Sequence, residues 1–169
     1  MFITQDEIDR LISEDNPHID LTTILLDIKT QISEIKIVSC ESGIIAGTGI
    51  VERVFQTLGV TLSKSRSDGD LVHKGDLIIS GIGSASAVTN AWIVSLNILS
   101  YCSGVATATR KLVDLCQLTN PPTNLFLSKK SIPGTKTLTI PAILAGGAIP
   151  QAFDRSETIM IFEQHQNFF

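Results

Sequence analysis

The stretch Ala91 to Ala108 carries no charged side chain, and any fold must place it out of water. It is not uniformly apolar: Ser95, Asn97, Ser100 and Ser103 interrupt it. A bilayer core offers those groups no partners, so the stretch reads as a buried helix pair rather than a membrane span. Val88, Trp92, Leu96 and Leu99 form a helical stripe leading into it. Gly104 is expected to break the helix, with a second helix running from about Val105 to Leu118.

The rest of the composition agrees with a packed core. The chain has 169 residues, is 43% hydrophobic and 18% charged, and has a mean hydropathy of +0.27, so it has enough apolar surface to fold. The net charge of -4 and pI of about 5.3 argue against broad nucleic-acid or anionic-membrane binding. The opening residues MFITQDEID are acidic and polar, unlike a signal peptide. Cys40, Cys102 and Cys116 stand singly, without ligand spacing, and are expected to be reduced core residues of a cytoplasmic protein. His18, His73 and His165 also lack metal spacing.

Local signals place the other elements. Thr4-Gln5-Asp6-Glu7 is a capping box that starts a helix running to about Glu14. Ser33 to Cys40 alternates as a strand, with Ile35 and Ile37 on one face. Val51, Val54, Phe55 and Leu58 have helical spacing, and Gly59 is the expected stop. Val60–Ser65 and Leu77–Ile82 read as strands around the turn-rich centre DGDLVHKGD, where Asp68-Gly69-Asp70 is a tight turn. Asn120-Pro121-Pro122-Thr123 is a linker. A last strand is expected near Glu157 to Phe162.

Chemistry concentrates after the linker. The apolar run Leu125-Phe126-Leu127 leads into Ser128-Lys129-Lys130-Ser131, then Pro133-Gly134 and a third cation, Lys136. A hydroxyl-bearing cationic loop at a strand end suits an anionic small molecule. Taken alone, Lys129 and Lys130 could equally be solvated loop lysines, and Arg110 could be structural.

Several motifs occur together in one order. Ser103-Gly-Val-Ala-Thr-Ala-Thr-Arg110, Asp20-Leu-Thr-Thr23, Asp68-Gly-Asp70 with Gly75-Asp76, and Ser128-Lys-Lys-Ser-Ile-Pro-Gly134 resemble the quinolinate (nicotinate-nucleotide) phosphoribosyltransferase family. Pro133-Gly-Thr-Lys136, Leu144-Ala-Gly-Gly-Ala148 and Ser156-Glu-Thr158, followed by Ile161-Phe162 and His165, resemble its ModD branch of pyrophosphorylases associated with molybdenum transport.

The resemblance implies an α/β fold. Residues 1–102 would form an N-terminal α/β sandwich and residues 103–169 the beginning of an incomplete TIM-like barrel. A complete barrel takes roughly 200 to 250 residues, so open strand edges and poor stability of the lone chain are expected. The implied reaction moves a phosphoribosyl group from phosphoribosyl pyrophosphate to a ring nitrogen of a small acidic aromatic acceptor, in a homodimer with Mg²⁺. The metal's acidic ligands would lie beyond Phe169. Ser128, Lys129 and Lys130 match the family's substrate-binding Thr-Arg-Lys, with Lys129 a point charge where arginine would be a fork. The family's His-Arg pair aligns with Gln151-Ala152, its partner-reaching arginine near Ile93, and a later lysine with Phe162.

A chain with these losses is expected to be inactive alone. The alternatives are a non-catalytic binding or dimerisation remnant and, last, a biotinyl-like carrier suggested by DGDLVHKGDLI.

Overall fold

A computed structural model describes residues 3–15, 21–127, 130–150, 159 and 161–168. The elements follow in chain order as α1 (Gln5–Asp15), α2 (Leu21–Leu25), β1 (Ile32–Val38), β2 (Gly43–Ile44), α3 (Thr48–Leu58), β3 (Thr61–Ser65), β4 (Leu71–Val72) and β5 (Leu77–Ser84). The long helix α4 (Ala85–Gln117) comes next, then β6 (Phe126–Leu127), α5 (Lys136–Ala145), β7 (Ile149–Pro150) and α6 (Glu163–Gln166).

The N-terminal half is a layer of helices on a small antiparallel sheet, order β1-β5-β3. Ile35 opposes Gly81 and Ile37 opposes Ile79, which turns Ile35, Ile37 and Ile79 toward the helices. Phe55, Ile8, Ile45 and Ile79 are among the largest fully buried side chains. Each contributes roughly 1.5–3 kcal/mol by leaving water. Local signals set the ends of α1 and α3. The Glu7 backbone N–H donates to Thr4 Oγ1 at 3.3 Å, while Glu7 Oε2 accepts from the Thr4 N–H at 3.1 Å. Helix α3 stops at Gly59, where φ is 78°.

Helix α4 differs from expectation. It runs unbroken for 33 residues through Gly104. A glycine in a helix interior costs about 1 kcal/mol relative to alanine. That is outweighed by the neighbours it would have to give up: Ile98, Leu99, Cys102 and Ala106 are all buried in the core. The helix is long and apolar enough, by length and composition, to cross a membrane, yet its core-facing stripe is packed inside this fold. That stripe is also not the expected one. Val88 packs only partly against the core and Leu99 is buried, but Trp92 is 51% exposed and Leu96 lies at the surface.

Hydroxyls on α4 hold the edge of the second, two-stranded sheet. The Ile44 N–H donates to Thr107 Oγ1 at 2.9 Å, and the Ala46 N–H to Ser103 Oγ at 3.2 Å. The Ser103-to-Arg110 signature is thereby accounted for in part: its hydroxyls take up backbone donors that would otherwise be unpaired. Beyond the linker, β6 and β7 pair in parallel, Phe126 against Ile149. This α–β unit leaves its strand edges open, and no closed barrel is present among the described residues.

Two further expectations need correction. Of the strand expected at Glu157 to Phe162, residues 157, 158 and 160 lie outside the described residues, and Ile159, Ile161 and Phe162 are not in a strand. The cysteines do not share one environment: Cys102 is buried, Cys116 half-buried and Cys40 exposed. Burial, and secondarily the Asp68 carboxylate, pushes the Cys102 thiol up to about 12, so it is an inert core group.

Candidate functional site

Pro133 and Gly134 shape the cationic loop. The Thr135 N–H returns to the Ile132 carbonyl at 3.1 Å, with Gly134 at a φ of 83°. Proline second and a positive-φ glycine third are what a type II turn requires. The turn delivers the chain into α5, whose first residue is Lys136. The Thr135 side chain makes no cap to α5; it donates back to the Ile132 carbonyl at 2.8 Å. Thr139 shares a hydrogen bond of 2.7 Å with Tyr101 of α4, which pins the start of α5 to the long helix.

Lys130, Ser131, Pro133, Gly134, Lys136 and Thr137 line a cavity of about 500 Å³. That volume lies in the range of small-molecule sites. Glu7, from the other end of the chain, also lines it. Lys130 and Lys136 are exposed, and neither has an ion-pair partner among the described residues. Two free ammonium groups and two hydroxyls around one cavity can hold a phosphate or carboxylate. Ser128 and Lys129, the other two expected binding residues, lie outside the described residues, as do Gln151 and Ala152.

A second cavity of about 360 Å³ lies on the other side of Pro133-Gly134. Arg10, Glu14 and Asp15 of α1 and Asn97 and Tyr101 of α4 are among its lining residues. Its polar groups are already engaged: Arg10 with Glu14 at 3.5 Å, Asn97 with Asp15 at 3.0 Å, and Tyr101 with Thr139.

Other singled-out residues lie elsewhere. Asp68-Gly69-Asp70 is a turn, with Gly69 at a φ of 97°. Its first carboxylate also accepts from the Thr48 N–H at 2.9 Å and the Thr48 hydroxyl at 2.7 Å, and so caps α3 from 20 residues away. Arg110 packs beside Gly147 at the opposite end of α5, and its buried Nε has no hydrogen-bond partner among the described residues. Ile93 is 46% exposed on α4. Phe162 stacks on His165. Among the described residues no group of three His, Cys, Asp or Glu could hold a metal ion.

Sequence reasoning grouped Lys130 with Lys136 on one cationic loop; in the structure both line one cavity, Lys130 from the loop and Lys136 from the start of α5, and Glu7, not singled out from the sequence for this site, lines it too. Its local role as a capping residue accounts for it fully in one dimension. Its place on the lining of the same cavity depends on the tertiary fold, which brings residues from both ends of the chain to one site.

Comparison with known proteins assigns both halves. The family model for the quinolinate phosphoribosyl transferase N-terminal domain matches residues 20–103, and that for the C-terminal domain matches residues 105–169. "Putative pyrophosphorylase ModD" of Escherichia coli O157:H7 is 32% identical over 168 residues, which is 99% of this chain and 59% of the relative. "Probable nicotinate-nucleotide pyrophosphorylase" of Archaeoglobus fulgidus is 30% identical over 149 residues, 88% of this chain and 56% of the relative. The crystal structure of NadC from Streptococcus pyogenes superimposes with a TM-score of 0.87 at 25% identity, covering 99% of this chain and 61% of that one. The chain thus spans about three-fifths of the length of these relatives.

Proposed function

Because this chain belongs to the quinolinate phosphoribosyl transferase family, we propose that it carries the anion-binding part of a ModD-type phosphoribosyltransferase associated with molybdenum transport in the cytoplasm. The observation that supports this is the cavity in which Lys130 and Lys136 converge at the start of α5. In such a transfer the bond from the ribose carbon to pyrophosphate breaks and a bond to a ring nitrogen forms. Negative charge grows on the departing pyrophosphate. Ammonium groups already in place stabilise that charge without reorganising. By the family resemblance Ser128 and Lys129, which lie outside the described residues, are proposed to share in anion binding. The family resemblance implies Mg²⁺, for which the described residues supply no ligand set.

Turnover by the 169-residue chain alone is expected to be undetectable. Gln151 and Ala152 stand where the family resemblance implies a basic pair, and Phe162 where it implies a lysine. At about 1.5–3 kcal/mol for each charge-assisted contact, three such losses remove most of the useful rate. The check is pyrophosphate release from phosphoribosyl pyrophosphate in the presence of pyridine carboxylates. Steady release by a folded, homogeneous sample would overturn this part of the reading.

A second reading, self-association, has its own support. Ile93 and Leu115, on one side of α4, are 46% and 61% exposed. Between them Gly104 has open space where a Cβ would be. Exposed apolar surface of this extent along a rigid helix suits a second copy of the chain. Light scattering is expected to give the mass of a dimer, and Ile93→Glu with Leu115→Glu to give a monomer. A monomeric wild-type chain at micromolar concentration rules this arrangement out.

A further inference from the structure

The loop between Lys130 and Lys136 gains little from burial. Ser131, Ile132, Pro133 and Gly134 are exposed, and Pro133 and Gly134 line both the lysine cavity and the cavity beside α1. A chain of hydroxyls ties this loop to the long helix. The Thr135 hydroxyl donates to the Ile132 carbonyl at 2.8 Å. The Thr139 hydroxyl donates to Thr135, whose carbonyl is at 2.9 Å and whose hydroxyl oxygen is at 3.3 Å. A threonine hydroxyl has a single proton. With that proton given to Thr135, the 2.7 Å contact between Tyr101 and Thr139 has the phenol as its donor. Tyr101 belongs to α4, beside the buried Cys102 and one turn from the buried Ile98. The protons therefore run one way, from the core helix through the first turn of α5 to the loop, and each bond polarises the next.

We propose that Tyr101 is a positioning residue for the anion site: through Thr139 and Thr135 its phenol fixes the turn at residues 132–135, and with it the places from which Lys130 and Lys136 reach the cavity. This rests on the reading of the lysine cavity as an anion site. Lys130 stands two residues before Ile132, and Lys136 directly follows Thr135, so the turn sets where both stems begin. Two cations hold one anion best when their stems are already fixed at its span, because less conformational freedom is then lost on binding. A loop lined by cavities and open to solvent has little packing to supply that fixity. The hydroxyl chain supplies it, and Tyr101 is its anchor on α4.

The test is calorimetric titration of inorganic phosphate into the wild-type chain, Tyr101→Phe, Thr139→Val, Thr139→Ser, the Tyr101→Phe, Thr139→Val double variant, and Lys130→Met. A urea unfolding curve for each confirms that it is folded under the conditions of the titration. Phenylalanine keeps the ring, valine keeps the shape of threonine, and serine keeps the hydroxyl. Tyr101→Phe and Thr139→Val are each expected to weaken phosphate binding about fivefold. The double variant is expected to lose no more than Thr139→Val alone, because both changes remove one shared bond, and Thr139→Ser to bind as wild type does. A hydrogen bond with a structural role only would shift the unfolding midpoint and leave the affinity of the folded protein unchanged. Wild-type affinity in Tyr101→Phe, with binding weakened in Lys130→Met, therefore overturns the role of Tyr101 and leaves the anion site standing. Additive losses in the double variant overturn it in the same way. Absence of phosphate binding in wild type, or undiminished binding in Lys130→Met, overturns the anion site and the role of Tyr101 with it.

Discussion

Gly146→Ala and Gly104→Ala are expected to shift stability in opposite directions, although both replace a glycine beside or within helix α4. A Cβ at Gly146 would stand 2.5 Å from the Thr109 Cβ and 2.7 Å from the Ala106 carbonyl oxygen. The backbone there is αR, with φ of -72°, so the obstacle is contact rather than conformation. The carbonyl belongs to the interior of a long helix and cannot move aside without disturbing its ladder. Relief must come from separating α5 from α4, along the contact that also holds Tyr101 to Thr139. The expected loss is about 1–3 kcal/mol, typical of overpacking. At Gly104 nothing lies within 4 Å of the same added atom. Alanine there removes backbone freedom from the unfolded chain and improves helix propensity, and is expected to stabilise by about 0.5–1 kcal/mol. Urea unfolding of the two variants gives both signs. Equal shifts would mean that α4 and α5 are not packed as described. Destabilisation by Gly104→Ala would mean that this face is already occupied by a partner chain.

That pair of glycines also marks where the sequence was legible. The start of α1 and the stop of α3 depend on neighbours three or four residues away, so Thr4, Glu7 and Gly59 announce them. Gly104 sends the same local signal as Gly59, but tertiary burial of Ile98, Leu99, Cys102 and Ala106 overrides it. Propensity is the weaker term once a helix face is buried. Strands β2 and β4 have two residues each, too few to show a period. Their partners Thr107 and Ser103 lie about sixty residues away in the chain. The site divides the same way. Lys130, Pro133, Gly134 and Lys136 are close in sequence and were readable as one group, although Lys136 begins α5 rather than ending the loop. Glu7 and Asp68 were readable only locally, as a cap and a turn, because the cavity that Glu7 lines and the Asp68 hydrogen bonds to Thr48 need the folded chain. The three cysteines read alike as core residues in the sequence, yet Cys40, flanked by Ser39 and Glu41, is exposed.

The double variant Lys130→Met, Lys136→Met is expected to lose most affinity for phosphate-bearing ligands while keeping the fold. Methionine retains the length of the stem and removes only the charge. Both lysines are exposed, so each contact is worth about 1 kcal/mol rather than the value of a desolvated pair. That is about fivefold in affinity for each lysine and about thirtyfold for both. The same exposure makes the interaction sensitive to screening, so wild-type binding is expected to weaken as salt rises and the variant's residual binding to change little. The direct measurement is calorimetric titration of phosphoribosyl pyrophosphate into the wild-type chain and the double variant, each at low and at high salt. The predicted result is salt-sensitive binding by wild type that falls about thirtyfold in the variant. Equal affinity in the two proteins would contradict the assignment of this cavity as the anion site.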